Sequence, residues 1–176
     1  MRRTTVALAL AAAGLIGMAT PASAVARTAA APHARHMMCL DVGSGRDNGD
    51  LAKIWTCIGP GFGNQDFVIQ RGQIVVRDTL GTSQKMCLDV GAGRNNGDRL
   101  KIWTCRLPGF GNQDFTIERG RIMVTDTIGT AQQMCVDVGN GRNDGDAAKI
   151  WSCQGPGFEN QDLTVQNGQI IVKDTI

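Results

Sequence analysis

The chain has 176 residues, 19% of them charged and 42% hydrophobic, with a formal net charge of +2, which suits one domain with a sizeable core. Leaving out Arg2 and Arg3 takes Lys+Arg from 18 to 16, level with the 16 Asp+Glu, and from Met38 onward the balance falls to about −2. A protein that tracks phosphates needs a basic field, so neither nucleic acid nor an anionic membrane surface is an expected partner.

Taken in order, the chain opens on a basic pair, Arg2 and Arg3, followed by an apolar run from Val6 to Met18. That run is short for a membrane span, and Pro21-Ala22-Ser23-Ala24 offers an A-x-A-like cleavage step with no stop-transfer pattern behind it. Residues 1–24 therefore read as a secretory signal rather than an uncleaved anchor. Residues 25–37 lack periodicity and read as a disordered leader. The mature domain is expected at 38–176, secreted and extracellular, without membrane insertion, as a monomer.

From Met38 the sequence repeats. MCLDVGSGRDNGDLAKIWTC…NQDF returns at Met86 and again, as MCVDVGNGRNDGDAAKIWSC…NQDL, at Met134; the first two copies match at 34 of 48 positions without a gap. A fixed period sets the architecture before any local propensity does. Each copy punctuates short β-type runs with glycine: MCLDV (38–42), KIWTC (53–57), DFVIQ (66–70) and QIVVRD (73–78), with a tight turn at Arg71-Gly72 and no apolar stripe at helical spacing. Four strands per copy give about twelve strands in all. A β-propeller has a similar repeat but typically needs at least four blades, so three copies point to an all-β trefoil of three 48-residue repeats.

Six cysteines allow fifteen connectivities. Each copy holds two, 18 residues apart, and the parsimonious set is Cys39–Cys57, Cys87–Cys105 and Cys135–Cys153, in keeping with export. No C-x-x-C occurs, and His33 and His36 both lie in the leader, so neither a metal nor another cofactor is expected. The stretch Asp41 to Asp50 superficially resembles a calcium loop, but Gly43 and Gly45 stand where oxygen ligands are needed.

Alternation puts Cys39 and Asp41 on one face of their strand, away from Leu40 and Val42. Lys53, Trp55 and Cys57 likewise share a face, opposite Ile54. If the cystine joins a direct cross-strand pair, Asp41 stands opposite Trp55, Asp89 opposite Trp103 and Asp137 opposite Trp151. The intervening loop carries the Asn48-Gly49 turn signal and is expected to be bulged. Large apolar groups such as Phe62, Phe67, Ile54 and Ile74 are few per copy, so each disulfide matters, at about 3 kcal/mol on the chain-entropy model.

An aspartate beside a tryptophan on a non-core face suits a sugar. The indole offers a flat apolar surface to a pyranose, and the carboxylate accepts from vicinal hydroxyls. Asn64 and Gln65 add amide groups, and Lys53 a donor. The alternative is that Trp55 is core and Asn64-Gln65 tie a loop down, a role as plausible as binding for Gln65.

The order C-L-D-V, N-G, W-x-C, N-Q-x-F resembles the repeat of the ricin B-chain family of β-trefoil lectins, over Met38 to Ile176. The resemblance implies a carbohydrate-binding function with up to three shallow sites, lined by Asp41, Trp55, Asn64 and Gln65; by Asp89, Trp103, Asn112 and Gln113; and by Asp137, Trp151, Asn160 and Gln161. Galactose-type or xylan-type glycans are the ligands it implies. The chain departs from the family at Phe67, Phe115 and Leu163, where tryptophan is usual. It departs again at Lys53, Lys101 and Lys149, where glutamine is frequent and where a lysine can donate but not accept. Glu159 and Leu163 mark the third site as the weakest.

Two other functions compete with a lectin: a trefoil that binds or inhibits a protein through its loops, and an enzyme. The repeats lack histidine and all cysteines are paired, and three near-identical sites suit binding better than catalysis, although two-carboxylate glycoside hydrolysis is open on spacing alone. The chain's last nine residues, GQIIVKDTI, repeat Gly72 to Leu80 and Gly120 to Ile128. They are expected to lie beside the first strand, bringing Met38 and Ile176 together and closing the trefoil.

Overall fold

The computed structural model describes residues 36–176; the expected secretory signal at 1–24 and residues 25–35 of the expected leader lie outside the described residues. Twelve four-residue strands follow one another with single 3-10 turns between some of them. They are β1 Met38–Asp41, β2 Lys53–Thr56, β3 Phe67–Gln70, β4 Gln73–Val76, β5 Met86–Asp89, β6 Lys101–Thr104, β7 Phe115–Glu118, β8 Arg121–Val124, β9 Met134–Asp137, β10 Lys149–Ser152, β11 Leu163–Gln166 and β12 Gln169–Val172. This is the expected all-β trefoil, and the three cystines pair as expected, Cys39–Cys57, Cys87–Cys105 and Cys135–Cys153. Among the described residues no helix is long and apolar enough to cross a membrane.

Each sheet straddles a repeat boundary. The strand orders are β3-β4-β5-β6, β7-β8-β9-β10 and β11-β12-β1-β2, all antiparallel. The second half of one copy thus pairs with the first half of the next, and β12 closes the ring onto β1 at Ile171↔Cys39. The same closure recurs in side chains: Thr175 Oγ1 accepts from Met38 N at 3.0 Å, as Thr79 accepts from Met86 N and Thr127 from Met134 N. Between β3 and β4 the two-residue turn has Arg71 at φ 49° and Gly72 at φ 80°, the doubly positive geometry that matches the twist of a hairpin.

Alternation survives only where one face meets solvent. In β2, Ile54 is buried while Trp55 faces out, whereas β1 and β4 are buried along their whole length. Leu40, Val42, Ile54, Phe67, Ile74 and Val76 with their counterparts form one core, and Leu163 is buried there as Phe67 and Phe115 are. At the pseudo-threefold axis the loops lock head to tail. Ala52 N donates to Leu100 O at 2.9 Å, Leu100 N to Ala148 O at 3.1 Å and Ala148 N to Ala52 O at 3.2 Å.

Two local expectations are corrected. Asp41 stands opposite Lys53, and it is Cys39 that stands opposite Trp55; the same holds for Asp89 with Lys101 and Asp137 with Lys149. Cys57 lies just past the end of β2, where its N donates to Met37 O, and a Cα separation of 5.0 Å still lets it reach Cys39. Phe62 is not a core residue but is 42% exposed, as is Phe110, with Phe158 at 45%.

Candidate functional site

Asp41 ends β1 and is buried, and its carboxylate is held by hydrogen bonds at both oxygens. Its Oδ1 accepts from Gly43 N at 2.6 Å, and its Oδ2 accepts from Gln65 Nε2 at 3.0 Å. Each oxygen keeps a further lone pair for another donor. Gly43 has φ 68°, so the chain folds back over the carboxylate through a conformation that suits glycine.

Gln65 is fully buried, and both ends of its amide are committed. Besides Asp41, its Nε2 donates to Thr56 O at 3.1 Å, and its Oε1 accepts from Ile58 N at 3.0 Å. Gln113 and Gln161 repeat the pattern toward Asp89 and Asp137. All three glutamines hold their aspartates from buried positions, and Gln113 and Gln161 do not line the concave surfaces in front of Asp89 and Asp137.

That surface is walled in the second repeat by Asp89, Lys101, Trp103, Phe110 and Asn112, with Arg106 at its lip. In the third it is walled by Asp137, Lys149, Trp151, Phe158 and Asn160, with Gln154 at the lip. Asp and Trp therefore meet although they are not directly opposed: on one face of the sheet Trp sits one pair further along, within diagonal reach. Trp55 is 36% exposed and Trp151 37%, so these indoles are not core.

Each lysine stands over its neighbouring indole, with Nζ at 4.8 Å from the ring centroid for Lys53 and Trp55, 5.4 Å for Lys101 and Trp103, and 5.0 Å for Lys149 and Trp151. Such a cation rests favourably on the ring face. Lys149 Nζ also lies 4.0 Å from Asp137 Oδ1. The ammonium is a donor at the mouth of this surface and covers part of the ring face.

Each tryptophan is backed by the loop of another repeat. A Cβ on Gly49 would lie 3.8 Å from Trp103, one on Gly97 3.9 Å from Trp151, and one on Gly145 4.0 Å from Trp55. Asn48 Oδ1 accepts from Thr104 N and Oγ1, Asn96 Oδ1 from Ser152 N and Oγ, and Asp144 Oδ1 from Thr56 N and Oγ1. The loop that carries the turn signal thus props the strand that carries the tryptophan.

Two contributors escaped the sequence reading. Phe110 and Phe158 give the surface a second aromatic wall; the signal was the P-G-F run, an aromatic set among glycines outside any alternating strand. Arg46 clamps the loop over Asp41, donating to Gly43 O, Gly45 O, Asn64 Oδ1 and both carboxylate oxygens of Asp78; Arg94 repeats the whole clamp, and Arg142 its backbone and carboxylate contacts with Asp174.

The sites also differ. In the third, Asn160 Nδ2 donates to Asn140 Oδ1 at 2.6 Å, whereas Ser44 and Ala92 stand at the corresponding positions. Among the described residues no group of three or more His, Cys, Asp or Glu side chains is disposed to hold a metal.

The model of the ricin-type β-trefoil lectin domain matches residues 28–128 and, in a second overlapping frame, 79–175. The chain belongs to this family. The two overlapping frames of this ricin-type domain reflect its internal period, each spanning about two repeats. In fold it is similar to ThreeFoil, a designed three-fold symmetric protein, with 18% identity over 80% of this chain and 99% of that one, at a TM-score of 0.50. The β-trefoil lectin of the Vibrio vulnificus hemolysin/cytolysin, solved with N-acetyl-D-lactosamine bound, matches with 20% identity over 73% of this chain and 83% of that one, at a TM-score of 0.49. No curated protein matches the chain.

Proposed function

We propose that this ricin-type domain is a secreted, monomeric lectin with three shallow sugar sites, one per repeat. The observation that carries the reading is the recurring set of a half-exposed indole, a carboxylate held from behind by a buried glutamine, and an exposed phenylalanine across from them. A pyranose stacked on the indole presents its hydroxyls to the aspartate, to the asparagine amide and to the lysine ammonium. In this reading Asp41, Lys53, Trp55 and Asn64 contact the sugar, as do Asp89, Lys101, Trp103 and Asn112, and Asp137, Lys149, Trp151 and Asn160. Gln65, Gln113 and Gln161 orient the carboxylates.

The ligands proposed are galactose-type or xylan-type glycans, and the role is binding rather than turnover. A concave face with two aromatic walls and convergent polar groups favours a sugar over a flat protein partner. Secretion rests on the basic pair, apolar run and A-x-A-like step at the start of the chain, together with three disulfides. A glycan array probed with the mature protein tests the reading: galactose- or xylose-terminated glycans are expected to retain it. An array on which no glycan does so would overturn it.

A further inference from the structure

We infer that the second site takes a glycan bearing a carboxylate or sulfate group, seated in a cleft of three cations that neither other repeat reproduces. The inference rests on the lectin reading and assigns one site its ligand class. Arg106 belongs to two adjoining concavities. It lines the surface with Trp103 and Phe110, and it lines a neighbouring cleft with Arg71 and Lys85. Three cations converge there with no acidic residue in the lining. Among the described residues none of the three forms an ion pair.

The internal repeat supplies the control. Where the second site has Arg106, the first has Ile58 and the third has Gln154. The cleft beside the first site is lined by Met37, Ile58, Asn167 and Gln169 and carries no charge. Beside the third site the positions of Arg71 and Lys85 are taken by Arg119 and Gln133, and that of Gln73 by Arg121; Arg119 is 3.4 Å from the neighbouring Glu118, and Arg121 is turned onto Gln154 O at 3.1 Å. Three cations around one cleft with no carboxylate among them are therefore found beside the second site, whereas the third has two arginines and an adjacent glutamate.

Arg106 is also the one lip residue that stacks, with its guanidinium carbon 5.6 Å from the centroid of the Phe110 ring. Stacking restrains the planar fork while leaving its edge free for a bidentate anion. A sugar ring on Trp103 would then carry its acidic substituent, or an acidic neighbouring residue, toward Arg71 and Lys85.

The test isolates the second site in the full mature chain with Trp55→Ala and Trp151→Ala. Calorimetry compares xylotriose with its glucuronate-substituted form, and lactose with its sulfated form, at low and high ionic strength. The acidic member of at least one pair is expected to bind about tenfold tighter, as a charge-assisted contact allows, and salt should erode the gain. Which pair shows it separates carboxylate from sulfate. Arg71→Asn with Lys85→Gln, residues taken from the other two repeats and compatible with the fold, should remove the gain while keeping neutral binding. Arg106→Gln should bring the acidic-to-neutral ratio close to one. Equal affinities within both pairs, a gain that survives these variants, or inorganic polyphosphate binding as tightly as the acidic sugars would each overturn the inference and leave the lectin reading standing. If neither neutral nor acidic sugar binds, both fall.

Discussion

Gln65 donates to the Asp41 carboxylate at 3.0 Å from a fully buried position 24 residues along the chain. One amide thereby ties the end of β1 to the loop before β3, and its other contacts reach Thr56 O and Ile58 N after β2. Removing it strands a buried carboxylate oxygen, a backbone carbonyl and an N–H, and an unsatisfied buried group costs about 1–3 kcal/mol. Gln65→Ala is expected to lower the melting temperature by several degrees and to weaken sugar binding at the first site. Gln65→Glu should be worse, since a second carboxylate would face Asp41. Trp55→Ala should weaken binding with a much smaller thermal cost, because the indole is substantially exposed. Thermal melts of the three variants beside calorimetry check this, and equal melting temperatures for Gln65→Glu and the parent would contradict it.

Much of this is legible in the sequence. The 48-residue period dictated three equivalent disulfides, and alternation correctly put Trp55 outward and Ile54 inward. The register was not legible from the cystine. A disulfide requires only that two Cα atoms come within several ångströms, and Cys57 sits where β2 has already ended, free to reach Cys39 from outside the ladder. Asp41 and Trp55 were brought together for a reason that does not hold, and they meet by the same-face diagonal instead. Phe62 is large but not buried, because a residue between Pro60-Gly61 and Gly63 lies outside any strand. Arg46 was invisible because its partner Asp78 lies 32 residues away, beyond any local pattern.

The third site is expected to be the weakest, for a reason that differs from the one in the sequence. Leu163 is core, and the deciding contact is Asn160 Nδ2 to Asn140 Oδ1, which engages the amide NH2, whereas in the first two sites the amide is held through its oxygen, by Arg46 and Arg94. Asn140→Ala, the residue of the second repeat, should raise the affinity of the third site several-fold, in line with one recovered hydrogen bond of about 1 kcal/mol. Calorimetry on a chain that also carries Trp55→Ala and Trp103→Ala reads that site alone. No gain would show that the amide is not limiting.

Closure of the ring is expected to govern the stability of the whole domain. Ile170 and Val172 of β12 are fully buried, and each such side chain contributes about 1.5–3 kcal/mol. Deleting Gly168 to Ile176 would remove both and leave β1 without one of its two partner strands and β11 without its hairpin partner, against a total stability of about 5–15 kcal/mol for a domain. The truncated chain should unfold globally rather than fray. Thr175→Val is the milder probe: it strands Met38 N–H and should cost about 1–3 kcal/mol. A truncated chain that melts within a few degrees of the intact one would refute this.

The most direct measurement is a fluorescence and calorimetric titration of the mature protein with a galactose- or xylose-type oligosaccharide retained on the array. It is set beside the triple variant Trp55→Ala, Trp103→Ala, Trp151→Ala. Three tryptophan-walled sites predict a saturable change in indole emission, a stoichiometry approaching three sugars per chain, and no binding by the triple variant in a fold that still melts cooperatively. Undiminished binding by that variant, or binding by the parent with no change in emission, would contradict sugar recognition at these sites.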